Sequence, residues 1–375
     1  MTVDFSVVIP TWNRSGLVDD LLRTLKEDRD AYDGGKVEVL IVDSSVGEEK
    51  ESIMRSCSEY GAEYIEGPDS VRKKRNMGIS NSRYDHILFL DSDVMIEPGM
   101  LKAHADTYEN SNGEPIGGTF GRTVFYGKRN FVWKVTEYTH YTDVFNQAAL
   151  YPYVNWTICN NVSFVKQYLL DIGMFEENLP FKLGGDDLDL SYRVVASGHP
   201  IKSCPDAVTL HSRDTWSTAK AIMNRTVRWG SMEYHNGKRH PEIMRKTLPG
   251  LPLMSAIFMC MIAIGALVLG DPKVLLLAAA VPIYSFIISY YYDGIRKGKW
   301  NPVLFLTAKI LLGIYGLCRY RQYIKHRDLS LVGRTMIFDI GHARAEYSSR
   351  SCKMDCFILF SAVAIIIGLL LMGAV

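Results

Sequence analysis

Between residues 5 and 90, short β-branched and aromatic runs alternate with stretches whose apolar positions recur every third or fourth residue. Phe5 to Ile9 reads as a strand ended by Pro10, and Leu17, Leu21, Leu22 and Leu25 mark one face of a following helix. The alternation repeats, with strands expected over 37–42, 62–65 and 86–90 and helices over 48–60 and 70–80. That rhythm predicts an α/β fold of parallel β-α-β units with right-handed crossovers. Ligands in such sheets sit beyond the carboxyl ends of the strands.

The pattern changes after residue 250. Stretches 251–270, 274–292 and 357–375 contain no Asp, Glu, Lys or Arg, and each is long enough to cross a hydrocarbon layer of about 30 Å. The segment 302–318 is shorter and carries Lys309 near its middle, which leaves three readings: re-entrant, in-plane or spanning. The expected organisation is an α/β domain over 1–235, a basic juxtamembrane segment over 236–250 and a transmembrane or interfacial helical region over 251–375.

Charge sharpens this division. The whole chain has 42 Lys and Arg against 41 Asp and Glu, a formal charge of +1, which excludes a generally basic nucleic-acid binder. Residues 251–375 alone hold 13 basic and 6 acidic side chains. Lys238, Arg239, Arg245 and Lys246 precede the first apolar run, so the positive-inside rule places the N-terminal domain on the cytoplasmic face of the cell membrane. The same rule keeps 319–356 inside, leading into a last span with its C-terminus outside. An acidic residue stands where a signal peptide carries basic ones, and seven cysteines without a CxxC fit reduced thiols.

The strand ends carry Pro10-Thr11-Trp12-Asn13, Asp43-Ser44-Ser45, Gly67-Pro68-Asp69 and Asp91-Ser92-Asp93. No glycine-rich phosphate loop is present, which disfavours dehydrogenases and P-loop enzymes. Asp91 and Asp93, two apart in extended chain, point the same way and offer oxygens to Mg²⁺ or Mn²⁺, although such a pair is also a common solvated turn. His211, after another apolar run, is a candidate third ligand or a structural histidine. Asp43 suits a hydrogen bond to a base or ribose, or a helix N-cap. Arg72, Arg75 and Asn76 share one helical face that holds phosphates or simply faces water. Gly184-Gly185 precede Asp186, Asp187 and Asp189 at a helix start, where acids favour the dipole or one of them takes a proton from an attacking hydroxyl. Arg225, Arg228 and Trp229 lie on a later helix whose cations would reach toward a diphosphate or merely border the membrane.

Taken in order, SVVIPTWNR (6–14), IVDSS (41–45), VRKKRNMGI (71–79), FLDSDV (89–94) and GGDDLDLSYR (184–193) resemble the family-2 glycosyltransferases of the GT-A fold. The resemblance spans residues 5 to 235. It implies that Pro10, Thr11, Asn13 and Asp43 hold the nucleotide, that Asp91 and Asp93 bind a divalent metal, and that Asp187 is the catalytic base, with Asp186 beside it. Two departures stand out: the first acid of the family's Glu-Asp motif is Asp186, and the Gln of the processive Gln-x-x-Arg-Trp motif is replaced by Arg225. The implied enzyme is an inverting, membrane-bound transferase. It moves a sugar from a nucleotide-diphosphate donor to an acceptor hydroxyl on a lipid-linked or membrane-associated glycan. The aromatic stretch 126–156, with Trp133, Tyr138, Tyr141, Tyr151 and Tyr153, is the expected acceptor side. The alternatives are a polyprenyl-phosphate sugar synthase similar to dolichol-phosphate mannose synthases, and a non-catalytic membrane-anchored nucleotide-sugar-binding protein.

Overall fold

The structure is a computed structural model that describes residues 2–111, 113–180, 184–246, 251–270, 274–298 and 300–336, together with 360, 361, 364 and 368. The apolar run expected at 357–375 lies, apart from those last four residues, outside the described residues.

Strand and helix alternate as the pattern requires: β1 (Phe5–Thr11), α1 (Ser15–Ala31), β2 (Val37–Asp43), α2 (Gly47–Tyr60), β3 (Glu63–Glu66), α3 (Val71–Asn81) and β4 (His86–Leu90). There follow β5 (Val94–Ile96), α4 (Met100–Glu109), β6 (Gly118–Tyr126), α5 (Phe131–Thr139), β7 (Tyr153–Val154), β8 (Asn161–Val165), α6 (Lys166–Asp171), α7 (Asp186–Ala196) and β9 (Ile201–Ser212). The main sheet runs β3-β2-β1-β4-β8-β6-β9-β5, with β7 also on β9. The first four strands are parallel, whereas β8 enters antiparallel between β4 and β6.

Alternation along each strand divides the core into two layers. Val7, Ile9, Ile41 and Leu88 pack with Leu21 and Leu25 of α1 on one face. Val8, Leu40 and Phe89 pack with Phe164 and Phe175 on the other. Both faces are covered, which is why these strands read as continuous apolar runs. Strand β1 does not stop at Pro10. Its ladder with β4 ends at Val8↔Phe89, while pairing with β2 continues through Pro10↔Val42 to Thr11↔Asp43. Proline therefore falls where only one side of the strand is still paired. Helix α3 lies so close to β1 that a Cβ at Gly78 would come within 2.2 Å of a Val8 methyl.

By its internal contacts the chain forms two compact units, Met1–Asn130 with Tyr141–Thr218 in the first, and Phe131–His140 with Ala219–Ile337 in the second. The second contains α5, α8 (Ala219–Arg239), β10 (Met244–Lys246), α9 (Leu251–Leu269), α10 (Val274–Lys297), α11 (Pro302–Lys325) and β11 (Arg334–Met336). Helix α11 does not end near Cys318 but continues through Arg319, Arg321 and Lys325. Its extra turns are held by α8. The Glu233 carboxylate accepts from Arg319 and from the Tyr315 hydroxyl, each at 2.8 Å, and Gly230 leaves room for the Tyr315 carbonyl, which a Cβ would meet at 2.3 Å. Among the described residues one helix, Pro302–Lys325, is long and apolar enough to cross a membrane.

Candidate active site

The candidate residues of the first unit gather at the carboxyl ends of β1, β2 and β4, at the start of α7 and on α3. At the end of β1, the Thr11 hydroxyl is buried and has no partner among the described residues. Asn13 takes a left-handed backbone, φ 49°, and its N–H donates to the Ser45 hydroxyl at 2.7 Å. The first loop is thus tied to the end of β2 while Trp12 stays 57 % exposed.

Asp43 is fully buried and internally engaged. Its Oδ1 accepts from the Ser45 N–H at 2.9 Å and the Ser45 hydroxyl at 2.6 Å, and its Oδ2 accepts from Tyr64 at 3.0 Å. It caps no helix, since Val46 occupies that position for α2. Burial, reinforced by the hydrogen bond to Asp43, holds the Tyr64 phenol well above its usual range.

Of its four charges, helix α3 presents only Lys73 to water. Arg72, Lys74, Arg75 and Asn76 are all buried. Arg72 points at the carbonyls of Glu177 and Leu179, at 3.4 and 3.3 Å. The Asn76 amide donates to the Phe175 carbonyl at 3.0 Å and accepts from the Phe175 N–H at 2.9 Å. Lys74 donates to the Thr11 carbonyl, and burial pulls its pKa down, against Asp43 and Asp69. Arg75 bridges two acids, donating to Asp186 at 2.8 Å and to Asp91 at 3.2 Å. The basic face of α3 therefore works as a strut: it fastens the strand ends to the segment that leads into α7.

Gly184 and Gly185, with φ of 91° and 74°, make the turn into α7 that a side chain would strain. The three acids that follow separate in role. Asp186 is buried against Arg75, with Arg72 at 3.9 Å. Asp189 is ion-paired to Arg193 at 2.9 Å. Asp187 remains half-buried, and its Oδ1 takes only the N–H of Leu188 among the hydrogen bonds in the described residues, at 2.9 Å. Burial pushes its carboxyl up to about 7, Asp186 adds to the rise, and Arg75 opposes it. A carboxylate of that basicity can exchange a proton with a hydroxyl near neutral pH.

Asp91 and Asp93 follow β4. Burial pushes the Asp91 carboxyl up, partly opposed by Arg75 and reinforced by Asp93, although 40 % of the side chain is exposed and solvent tempers the effect. Asp93 pairs with Arg14 at 2.9 Å and faces His211 Nε2 at 3.5 Å. Strand pairing Val94↔His211 brings that imidazole into place, and its Nδ1 lies 2.9 Å from the Ser212 carbonyl, leaving Nε2 toward the acid. The ring is packed by Phe125 and Trp216. Two carboxylates and one imidazole nitrogen are a donor set that suits Mn²⁺ or Mg²⁺. Among the described residues no three His, Cys, Asp or Glu side chains are drawn together as ligands, and Arg14 supplies the positive charge beside Asp93.

The remaining candidates are divided between the units. Arg225, Arg228 and Trp229 lie on α8 of the second unit. Of the aromatic stretch, Trp133 and Tyr138 sit on α5, also in the second unit, whereas Tyr141, Tyr151 and Tyr153 belong to the first. Trp133 is buried and its indole donates to Glu137 of its own helix at 2.7 Å. Sequence reasoning did not single out Arg14, Tyr64 or Lys74. Arg14 closes the WNR tripeptide of the first loop, and Lys74 sits inside the VRKKRN run; each was visible as a charge near a strand end without a partner to give it a role.

Residues 6–167 match the model of the family described as Glycosyl transferase family 2. The chain is 24 % identical over 238 residues to the chondroitin synthase of Escherichia coli, an alignment covering 55 % of this chain and 34 % of that protein. It is 24 % identical over 234 residues to the chondroitin synthase of Pasteurella multocida (strain Pm70), covering 52 % of this chain and 23 % of that one. It therefore matches no more than about a third of the length of these curated relatives. Among solved structures it is similar to the mannosyltransferase PcManGT of Pyrobaculum calidifontis, with a TM-score of 0.48 and 16 % identity over 87 % of this chain and 85 % of that one. Residues 6–167, which hold the parallel first half of the sheet and the motifs at its strand ends, thus resemble the family-2 glycosyltransferases, on an α/β domain of GT-A-like order.

Proposed function

We propose that this chain is an inverting transferase, attached to the membrane by its C-terminal region, that moves a sugar from a nucleotide-diphosphate donor to a hydroxyl of a lipid-linked or membrane-associated glycan. The observation that carries the reading is Asp187: a half-buried carboxyl at the first turn of α7, raised to about 7, beside an Asp186–Arg75–Asp91 bridge that ties it to the donor-side strand end.

In this reading Asp187 takes the proton of the acceptor hydroxyl. The acceptor oxygen forms a bond to the anomeric carbon as the bond from that carbon to the diphosphate breaks, and the nucleoside diphosphate departs from the opposite face. Arg75 holds Asp186 and Asp91 in register, so that base and donor site keep a fixed separation. The Thr11 hydroxyl and the Asn13 loop offer polar contacts to the nucleotide, with Asp43 shaping that loop through Ser45. A divalent cation, Mn²⁺ or Mg²⁺, held by Asp91 and Asp93 with His211, would supply counter-charge for the leaving diphosphate. The proposed site stands on the cytoplasmic side, with 1–235 as the catalytic domain.

The test is release of nucleoside diphosphate by the purified full chain from a panel of nucleotide sugars, with and without Mn²⁺ and membrane glycan acceptors. Acceptor-dependent release supports the reading. Binding of every donor by thermal shift without any turnover, with or without acceptor, sinks it in favour of a binding protein.

A further inference from the structure

Helix α11 passes every test of length and apolarity for a membrane span, yet both of its ends are held by segments that have no means of crossing. At its start, the Asn301 backbone is hydrogen-bonded to the Tyr138 hydroxyl of α5. Helix α5 has nine residues, about 14 Å at 1.5 Å per residue, and a bilayer core needs roughly 20 residues. The chain enters α5 from residue 130 and returns to the first unit by residue 141. Asn301 is thereby kept on the side of the membrane from which the chain enters and leaves α5.

At its other end α11 runs alongside α8. Tyr315 and Arg319 bond to Glu233, Tyr323 packs on Tyr234 at 5.5 Å between ring centroids, and just beyond the helix Asp328 pairs with Lys238 at 2.8 Å. Helix α8 begins directly after the first unit at Ala219, and its contacting half, Gly230 to Arg239, holds Glu233, Lys238 and Arg239. Charges of that density are expensive inside a bilayer. A spanning α11 would have to drag this polar helix into the hydrocarbon.

We infer that α11 lies in the plane of the membrane surface and that its exposed apolar stripe is a lipid-docking face. Val303, Leu306, Ile310, Leu317 and Ile324 are between 47 and 74 % exposed, and at 100° per residue they fall within a sector of about 60°. The opposite side carries Leu304, Ala308, Leu311 and Tyr323, all buried. Exposed Arg321 and Lys325 stand at the C-terminal end of the stripe, placed to meet anionic headgroups. Lipid rather than a protein is the occupant because α11 follows the charge-free stretches of α9 and α10 in the chain and carries this basic end. Of the three readings left by 302–318 the inference takes the in-plane one, and it rests on the membrane attachment proposed above.

Single cysteines at Val303, Ile310, Leu317 and Ile324, in a full chain whose accessible native cysteines are serine, would carry nitroxide labels after reconstitution into phosphatidylcholine–phosphatidylglycerol vesicles. Collision rates with oxygen and with a water-soluble nickel chelate then report depth. An in-plane α11 gives four similar shallow depths, about 5–10 Å below the headgroups. A deepest label at Ile310, with Val303 and Ile324 near opposite surfaces, overturns the inference while leaving membrane attachment intact. Four water-exposed labels on vesicle-bound protein overturn it as well, and the same result on protein that fails to float with vesicles removes the attachment too.

Discussion

Two acidic clusters at the candidate site are built from the same residue and behave differently. At the end of β4, Asp91 and Asp93 keep separate cationic partners, Arg75 for one and Arg14 for the other. At the start of α7, Asp186 and Asp189 are consumed by Arg75 and Arg193, and only Asp187, between them in sequence, keeps a carboxylate without an ion pair in the described residues. Pairing decides the role: an acid with a close guanidinium is held in place by it, whereas Asp187, half-buried beside Asp186 and without an ion pair among the described residues, is pushed toward neutrality and becomes basic enough to take a proton. Arg75 belongs to both clusters, so it is the point at which the comparison can be broken.

The largest effect is expected at the acid without an arginine. Asp187→Asn should lower turnover by about 10²–10⁴-fold, the usual contribution of a positioned base, and leave donor binding by thermal shift nearly unchanged. Normal transfer by that variant would mean that the acceptor is already ionised, as a lipid phosphate is. Next in size is the shared cation. Arg75→Met leaves the buried Asp186 carboxylate without its closest partner, which should cost about 3–5 kcal/mol of stability, read as a large fall in Tm. An unchanged Tm would show that Arg72, at 3.9 Å, suffices to compensate.

Smaller effects separate the two clusters further. Asp93→Asn should weaken Mn²⁺-dependent donor binding by at least about tenfold, without altering the pH profile set by Asp187. That profile has a definite sign. Asp187 works as a base only when ionised, so with its carboxyl raised to about 7 the rate should fall about tenfold per pH unit below that value. Stability should run the other way. The folded chain holds this proton up to about 7 while the unfolded chain releases it near 3.8, so the fold loses stability as pH rises through that window. In Asp187→Asn the fall in rate should disappear and the stability slope should shrink to the part that Asp91, whose carboxyl is also raised, contributes; an unchanged stability slope would assign it to another group.

The elements of the sheet were legible because burial on both faces writes itself as apolar runs: strands 37–42 and 86–90 appear as Val37–Asp43 and His86–Leu90. The glycines before α7 and the alignment of strand-end acids were legible for the same local reasons. Partnership was not. Arg72, Arg75 and Asn76 share a face in both readings, but whether it meets water or the chain near residues 175–179 depends on contacts across about a hundred residues, which periodicity does not encode. The C-terminal extension of α11 was hidden likewise: Arg319 reads as a basic stop signal until Glu233 is placed against it.

The smallest expected effect concerns Arg14, and it sharpens the reading of the strand-end cluster. Its side chain is 43 % exposed, and its pair with Asp93, though 2.9 Å long, is accessible to water and salt. Such pairs contribute about 0–1 kcal/mol, so Arg14→Gln should barely move the Tm. If Arg14 occupies the charge position that a cation takes when donor binds, its removal relieves competition for Asp93, and apparent Mn²⁺ affinity should rise by no more than about fivefold, the equivalent of that energy. If instead Arg14 grips the donor diphosphate directly, the same variant binds donor more weakly at every Mn²⁺ concentration. Titrating donor and metal independently on the Arg14→Gln chain distinguishes the two. Asp93 is then either a ligand awaiting its metal or one half of a permanent ion pair that orders the first loop.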